Sequence, residues 1–372
     1  MKIFFDHKIF SLQNQGGPSR YFVNLVSNLN KIKSINAKIF APLHLNHMLS
    51  NLDRSNIGIS NKIPFSNFFG KSNNLKKNLV KINNKINKYC EKKEKPDVIH
   101  TTYYDNNFPT KSNKLVVTVY DLIHEIFRDD YYKNDIFLSK KKILERANQI
   151  ICISESTKKD LINFYNIDKK KITVTHLANS LSFDNELLDS EVFKDKKKFF
   201  LYVGSRWKYK NFNQLLYSLS YDKKIHKEFN LISFGGGKFS NDEIKLINKL
   251  NLDPHRIIQI DGDENLLKTL YRNAEFFIYP SKYEGFGIPT LESFSQGCPV
   301  LCSNTSSFPE VAGDAAIYFD PNSIESISKS IEKIINSAEL RQKLIKRGNE
   351  RLQKFSWTKC ASETLDVYKK II

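Results

Sequence analysis

The chain has 372 residues, of which 40% are hydrophobic, so it is long enough for two domains of ordinary size with apolar cores. No stretch approaches about 18 uninterrupted apolar residues, which excludes a membrane-spanning helix at the level of sequence. Charged residues follow the first apolar run too early for a signal peptide, and the five cysteines show no disulfide or metal-binding spacing. These features predict a cytoplasmic protein.

Positive charge is concentrated in the first half of the chain. Residues 1–180 contain 30 Lys and Arg against 15 Asp and Glu, a balance of +15. Residues 181–372 contain 28 against 25, a balance of +3. A basic half of this kind predicts an anionic partner, and charge alone leaves nucleic acid and a membrane surface both open.

The chain begins with a strand, a glycine loop and a helix. The strand is predicted at residues 2–5 and the helix at residues 20–30, and Gly16 and Gly17 lie in the loop between them. Such a loop can bring a phosphate or an acceptor close to the backbone. Two adjacent glycines also occur in any tight turn, so the pattern is weak by itself.

A basic amphipathic helix is predicted between residues 71 and 95. Apolar residues recur there at helical spacing: Leu75, Leu79, Ile82, Ile86 and Tyr89. Lysines lie between them: Lys76, Lys77, Lys81, Lys85 and Lys88. The simpler interpretation is an apolar stripe packed on the core beneath a solvated lysine face. The alternative is a face that contacts anionic lipid.

Polar residues follow the β-branched strand predicted at residues 115–120. Asp121 comes directly after it and His124 three residues later. Because ligands bind at the carboxyl ends of parallel strands, both are candidates for a ligand pocket. A lone histidine after a strand is also often an ordinary loop residue.

The second half restarts the same alternation after a polar tract, residues 176–198, that is predicted to link two domains. A strand at residues 199–203 leads into a loop that contains Arg206 and Lys210. A guanidinium binds two phosphate oxygens as a fork and an ammonium adds a point charge, so this loop predicts a phosphate site.

The most informative stretch of the chain is residues 278–300. A buried strand ends at Pro280, a loop contains Gly285 and Gly287, and Pro289 opens a helix whose first N–H groups favour an anion. Glu284 and Glu292 bracket this loop. Carboxylates repel phosphate but accept hydrogen bonds from hydroxyls, so the pattern predicts a ligand with sugar rings at both ends of a phosphate. A nucleotide sugar fits that description.

Glu284 to Glu292 resembles the E-x7-E motif of the glycosyltransferase 4 family, whose members are retaining enzymes with the GT-B fold. The text YEGFGIPTLESFSQGCPVLCSN, followed by PEVAGDAAIYFDP, is similar to that family almost word for word. The stretches GGPSRYF and TVYDLIHE resemble its first domain, in a bacterial, mannosyltransferase-like branch. Tyr120 departs from the family's usual histidine.

The resemblance implies an α/β protein with two doubly wound Rossmann-like domains facing across a cleft. Residues 1–180 would bind the acceptor, residues 199–355 would bind the nucleotide sugar, and residues 356–372 would form a helix crossing back to the first domain. The implied activity is retaining transfer of a hexose from a nucleotide-diphosphate sugar, with GDP-mannose-like donors favoured, to a saccharide acceptor that is often lipid-linked in this family.

The resemblance also implies a role for each site residue. Arg206 and Lys210 would stabilise the leaving diphosphate, and Asp121 and His124 would line the reacting side. Glu284 would hold donor-sugar hydroxyls, and Glu292 the ribose diol. Backbone N–H groups would come from Gly285, Phe286, Gly287 and Ile288, and Gly16 and Gly17 would contact substrate. Neither a metal nor another cofactor is implied, so Asp261 and Asp263 are not interpreted as ligands.

Two further expectations complete the interpretation. The basic first half predicts peripheral contact with the anionic inner face of the membrane, and no nucleic-acid partner is expected. The alternative from another class is a non-catalytic protein with a GT-B-like fold that binds sugar nucleotides or nucleic acid.

Overall fold

The computed structural model describes residues 1–64, 73–105, 107, 114–131, 136–181 and 197–372. The chain divides into two compact units. The first unit comprises Met1–Leu177 together with Ser356–Ile372, and the second comprises Ala178–Phe355. Most of the predicted linker lies outside the described residues. Which substrate each unit binds stays a prediction.

The described part of the first unit contains a seven-stranded sheet in which every pairing is parallel. Its strand order is β3-β2-β1-β4-β5-β6-β7. The strands are β1 (Lys2–Phe5), β2 (Asn36–His44), β3 (Ile57–Lys62), β4 (Val98–Thr101), β5 (Leu115–Val119), β6 (Gln149–Cys152) and β7 (Ile172–Val174).

The helices described in this unit connect the strands and cover the sheet. They are α1 (Lys8–Leu12), α2 (Gly17–Leu29), α3 (Asn73–Glu94), α4 (Ile123–Ile126), α5 (Arg128–Tyr131), α6 (Ile136–Arg146), α7 (Glu155–Tyr165) and, at the end of the chain, α16 (Trp357–Lys369). The Ser154 hydroxyl accepts from the N–H of Thr157 and so caps α7.

The second unit contains a six-stranded parallel sheet of order β10-β9-β8-β11-β12-β13. Its strands are β8 (Phe199–Val203), β9 (Asn230–Phe234), β10 (Ile257–Ile260), β11 (Phe277–Tyr279), β12 (Val300–Ser303) and β13 (Ala316–Phe319). Its helices are α8 (Phe212–Tyr221), α9 (Lys223–Glu228), α10 (Asn241–Lys249), α11 (Glu264–Asn273), α12 (Ile288–Ser295), α13 (Phe308–Ala312), α14 (Ile324–Ile335) and α15 (Ala338–Leu352).

The central strands form because their apolar runs are buried on both faces, as helix-covered parallel sheets require. Every residue of β5 and of β8 is buried. Strand order reverses between β1 and β4 in one sheet and between β8 and β11 in the other, which is where such sheets bind ligands. The predicted α/β class with two doubly wound sheets is confirmed.

The C-terminal helix α16 belongs to the first unit. Its Tyr368 hydroxyl lies 2.7 Å from Nδ1 of His100, whose Nε2 lies 2.7 Å from the Thr118 hydroxyl. The rings of Trp357 and Tyr21 are 6.3 Å apart. A buried hydrogen-bonded chain therefore ties this helix to the sheet.

The structure corrects the predicted packing of the basic helix. Helix α3 exists, but Ile82 and Tyr89 of the predicted apolar stripe are 46% and 68% exposed. The buried side chains are Leu79, Asn83, Asn84, Asn87 and Glu91. The reason is hydrogen bonding: Asn83 pairs with both the N–H and the carbonyl of Leu43 on β2, at 2.9 and 2.7 Å.

The start of α2 also differs from the prediction. Gly17 was expected in a loop but is the first residue of the helix, with Pro18 next to it and Gly16 as the N-cap. Proline favours this because its missing N–H is not needed in a first helical turn. Among the described residues, no helix is both long and apolar enough to cross a bilayer.

Candidate active site

In the second unit, two loops at the carboxyl ends of neighbouring strands bring Lys210 and Glu284 together. Lys210 ends a short 3-10 turn after β8, and Glu284 lies in the loop after β11. The Lys210 Nζ is 2.7 Å from Oε1 of Glu284, and both side chains are largely buried. The N–H of Lys282 donates to the Tyr209 carbonyl at 2.8 Å, which fixes one loop against the other.

Arg206 lies on the same loop as Lys210 but has different partners. Its Nε donates to Glu243 at 2.7 Å, and its Nη2 donates to the carbonyls of Gly237 and Lys238. Its Nη1 donates to the Gly235 carbonyl at 3.0 Å and faces the Ser233 hydroxyl at 3.5 Å. Because a guanidinium has five N–H donors, all of them are directed at protein acceptors in this conformation.

The contacts of Arg206 brace the three-glycine loop after β9. Gly236 has φ +77°, and a Cβ there would lie 2.9 Å from both Arg206 Nη1 and the Gly204 carbonyl. The guanidinium also lies over the rings of Phe239 and Phe212, at 4.8 and 5.7 Å. The close approach of Arg206 therefore requires glycine at this position.

The glycine loop before α12 adopts the strand–loop–helix geometry that its sequence predicts. Gly287 has φ +91° and is the N-cap, with Ile288 and Pro289 as the first helical residues. The Ser307 hydroxyl oxygen lies 2.9 Å from the carbonyls of both Glu284 and Phe286 and shares its single hydrogen between them. The carbonyls are thereby held on one side, and the N-terminus of α12 favours an anion.

Glu292 lies buried on α12, and the Tyr271 hydroxyl donates to it at 3.4 Å. The buried Thr290 hydroxyl, one helical turn from Gly287, has no hydrogen-bond partner among the residues that the structure describes. Burial raises the pKa of Tyr279 well above its usual value, and the nearby Glu284 carboxylate raises it further. Tyr279 is therefore a neutral hydrogen-bonding group beside Lys210, whose Nζ lies 5.6 Å from its ring centroid.

In the first unit, the candidate residues lie near the carboxyl ends of β1 and β5. A Cβ added at Gly17 would meet no atom within 4 Å, so the backbone there is open to a ligand, whereas one at Gly16 would meet Gln13. Asp121 follows β5 and accepts from the N–H of Ile123 at 3.1 Å.

His124 is half-buried on α4, close to Asp121. Burial lowers the pKa of His124, the Asp121 carboxylate opposes this, and Lys140 adds to it. Tyr120, which replaces the family's usual histidine, is buried, and its hydroxyl donates to the Thr102 carbonyl at 3.1 Å. At this position the hydroxyl holds the neighbouring β4 loop.

Sequence reasoning missed polar groups directly after β1. Asp6 is buried, and its Oδ1 accepts from the N–H groups of Lys8 and Thr102 and from the Thr102 hydroxyl. Burial raises the pKa of Asp6 to about 6 and lowers the pKa of His7 to about 4. The signal was present as Asp-His after a parallel strand, the same kind of pattern that drew attention to Asp121.

Of the two carboxylates considered for metal binding, Asp263 caps a helix. The Asp263 side chain caps α11 by accepting from the N–H of Leu266 at 2.9 Å. In the described parts of the chain, no three or more His, Cys, Asp or Glu side chains are grouped so that they could hold a metal ion.

Two family models match successive parts of the chain. Residues 15–178 match Glycosyltransferase Family 4, and residues 183–351 match Glycosyl transferases group 1. With the two doubly wound sheets, these matches define a glycosyltransferase of the GT-B fold. The chain belongs to the glycosyltransferase 4 family.

Characterised relatives and solved structures agree with this. The chain is 29% identical to O-antigen chain mannosyltransferase B of Escherichia coli, over 72% of this chain and 74% of that protein. It is 28% identical to O-antigen chain mannosyltransferase RfbU of Salmonella typhimurium, over 59% of this chain and 60% of that protein.

Among solved structures, a glycosyltransferase from Rickettsia africae has a TM-score of 0.71 at 20% identity, with 100% of this chain and 98% of that chain covered. Anabaena HepE in complex with UDP and glucose has a TM-score of 0.73 at 13% identity, with 100% of both chains covered. At these identities the likeness shows the fold alone.

Proposed function

We propose that this glycosyltransferase moves a mannose, or a closely related hexose, from a GDP-mannose-like donor to a saccharide acceptor, with retention at the anomeric carbon. The donor preference rests on the relatives named for O-antigen mannosyl transfer. The observation that carries the mechanism is the buried Lys210–Glu284 pair beside the N-terminus of α12.

Lys210 would stabilise the charge that develops on the leaving diphosphate, which is usually the largest catalytic contribution of such a site. The amides at the start of α12 would act on the same phosphate, because they present partial positive charge. With this positive field in place, no metal is needed. Arg206 would serve by holding the Gly235–Gly237 loop, since its donors are directed at protein acceptors.

Glu284 would orient the donor sugar. One of its oxygens accepts from Lys210, and its carboxylate has further lone pairs for sugar hydroxyls. Glu292 would accept from the ribose diol, and the unpartnered Thr290 hydroxyl is placed to contribute to the same ligand. In the first unit, His124 would be neutral at physiological pH and could accept or donate at a sugar hydroxyl beside Asp121.

The test is a donor panel with GDP-mannose, UDP-glucose and UDP-N-acetylglucosamine. We expect hydrolysis or transfer with GDP-mannose that persists in excess chelator. The transferred sugar should keep the anomeric configuration of the donor, with its anomeric oxygen axial, as read from the one-bond C1–H1 coupling in NMR. Glu284→Gln should abolish turnover, while the neighbouring exposed Lys282→Gln should not. Turnover only with a uridine donor would refute the donor assignment, and an inverted product would refute the mechanism. Oligonucleotide binding without turnover of any donor would favour the non-catalytic alternative.

We further propose that the enzyme meets its acceptor at a membrane surface, through the exposed face of α3. Its exposed lysines are Lys77, Lys81, Lys85, Lys88, Lys92 and Lys93. Ile82 and Tyr89 lie exposed among them. A face that combines cations with apolar side chains suits an anionic membrane surface, to which each lysine contributes about 1 kcal/mol. We therefore place the enzyme peripherally at the inner face of the membrane.

Flotation with anionic and neutral vesicles tests this placement. The wild type should float with anionic vesicles at low salt and be released at high salt. Replacing Lys77, Lys81, Lys85, Lys88 and Lys92 by Gln should abolish flotation. The matched control replaces five other exposed lysines of the same unit: Lys31, Lys33, Lys159, Lys169 and Lys170. Equal loss in both variants would show that net charge, and not this face, is responsible.

A further inference from the structure

The first unit buries an ion pair that none of the proposed roles uses. The Nζ of Lys140, on α6, lies 2.8 Å from Oε1 of Glu125 and donates to its Oε2 at 3.0 Å. The two side chains are 1% and 0% exposed. The Tyr165 hydroxyl, at the end of α7, donates to the same carboxylate at 2.5 Å. The Lys140 ammonium also lies 5.0 Å from the centroid of the Tyr104 ring.

Such a pair is not explained by stability. Removing two charges from water costs as much as their attraction returns, and buried ion pairs can often be replaced by apolar residues without loss of stability. Leu115, Ile143 and Leu144 show that apolar packing is available around these helices. A polar cluster at this position therefore requires another reason.

The geometry supplies a reason, because the third hydrogen bond of Lys140 goes to the backbone carbonyl of Asp121 at 3.1 Å. Glu125 itself lies on α4, the helix that carries His124. The pair thus clamps the segment from Asp121 to Glu125 at both ends, with α6 and α7 as rigid supports.

We propose that Lys140 and Glu125 are positioning residues that hold Asp121 and His124 in the geometry needed for glycosyl transfer. The kinetic part of this inference rests on the proposed function, whereas the clamp itself does not. Neither side chain acts on the substrate directly in this proposal, because their charged atoms are directed at each other, at Tyr165 and at the Asp121 carbonyl.

The pKa of His124 reports on this clamp, because charged groups of the clamp lie near the imidazole. Asp121 faces it from the preceding loop, Glu125 from its own helix and Lys140 from α6. The neighbouring rings of Tyr103 and Tyr104, from the loop after β4, are neutral because burial raises the pKa of both hydroxyls. Lys140 therefore opposes protonation of His124, and Glu125 favours it.

The first experiment titrates His124 by NMR in the full-length protein, with its signal assigned by loss in the His124→Asn variant. Glu125→Gln removes a negative charge but keeps a hydrogen-bond acceptor for Lys140 and Tyr165. An intact clamp then gives a lower pKa for His124. A segment that had merely loosened would give a pKa raised toward the ordinary value. Lys140→Met should raise it.

A shift of the His124 pKa in Glu125→Gln supports the proposal in either direction, because a fall reports an intact clamp that has lost its charge and a rise reports a segment loosened by the weaker clamp. An unchanged pKa overturns it, whether or not Lys140→Met folds. This readout requires no turnover, so it stands if the donor or acceptor has been assigned wrongly.

The second experiment replaces the cluster by apolar residues, in the variant Glu125→Met/Lys140→Met/Tyr165→Phe. We expect it to unfold at the wild-type temperature or above, and to bind nucleotide as before, but to turn over about 10²-fold more slowly because the segment is misplaced. Wild-type turnover with preserved folding would show that the cluster is only structural, and would overturn the proposal.

Discussion

The two units share a doubly wound topology but bury polar groups in different places. The first unit buries histidines and asparagines throughout its interior, including His7, His100 and Asn83. The second unit packs a large apolar cluster around β8 and β11, and its buried carboxylates Glu284 and Glu292 lie in the candidate site. The same topology therefore accommodates two kinds of interior. We expect the stability of the first unit to depend on protonation of its buried histidines, and the activity of the second unit to depend on its site residues.

The largest expected effect is acid destabilisation of the first unit. Burial lowers the pKa of His7 to about 4 and of His100 to about 3, against 6.5 in the unfolded chain. The contribution of the two neutral histidines to the free energy of unfolding is present above pH 6.5 and is lost as the pH falls toward their pKa values in the folded protein. Asp6, with its pKa raised to about 6, acts in the opposite direction and offsets part of the loss. We expect a net loss of roughly 4 kcal/mol between pH 6.5 and 4.

The two tryptophans allow each unit to be followed separately. Trp357 lies in the first unit and Trp207 in the second. Urea unfolding of Trp207→Phe therefore reports on the first unit, and unfolding of Trp357→Phe reports on the second. The midpoint should fall with pH mainly in Trp207→Phe. Equal falls in both would contradict the comparison.

The second prediction concerns catalysis in the second unit. Lys210→Gln should lower turnover by about 10²-fold, because a charge that stabilises the leaving phosphate is lost. Thermal unfolding should change little, since Gln can still donate to Glu284. The exposed neighbour Lys208→Gln is the control in the same initial-rate assay. Near-wild-type turnover of Lys210→Gln would show that Lys210 does not contact the leaving phosphate.

The third prediction distinguishes the role of Arg206 from that of Lys210. The sequence predicts phosphate binding for both residues. Arg206→Lys keeps the charge but cannot bridge Glu243 and three backbone carbonyls. We expect it to lower the free energy of unfolding by about 2 kcal/mol, since the largely buried Arg206–Glu243 ion pair and the hydrogen bonds to the glycine loop are lost. Chemical denaturation followed by circular dichroism measures this. Unchanged stability with strongly reduced turnover would show instead that Arg206 contacts phosphate, as its spacing predicts.

Sequence patterns were sufficient for several central strands because uninterrupted apolar runs are buried on both faces of a helix-covered parallel sheet, but the partly exposed β3 was not predicted. β1 and β8 fall at the predicted residues, 2–5 and 199–203. The loop before α12 was equally readable, because its glycines and Pro289 have specific backbone roles.

Side-chain partners could not be read from the chain in the same way. Arg206 and Glu243 are far apart in sequence, and so are Lys140 and Glu125, so only the fold reveals that they pair. The buried face of α3 was misjudged for a related reason. Helical periodicity places apolar residues inside, but here the neighbouring β2 backbone offers hydrogen bonds that asparagines satisfy better than leucines could.

The smallest expected effect is that of a substitution at Ile82 on helix α3. Ile82 is exposed, so Ile82→Asn should change the free energy of unfolding by no more than about 0.5 kcal/mol. Asn83→Ile is the matched control. It removes the hydrogen bonds to Leu43 and to the Ser11 hydroxyl and leaves the partly buried Leu43 N–H without this acceptor, at a cost of about 2 kcal/mol. Urea unfolding compares the two, and vesicle flotation of Ile82→Asn should show weaker binding at unchanged stability. If Ile82→Asn destabilises the protein as much as Asn83→Ile does, then Ile82 packs against protein and the lipid-facing assignment of this face is wrong.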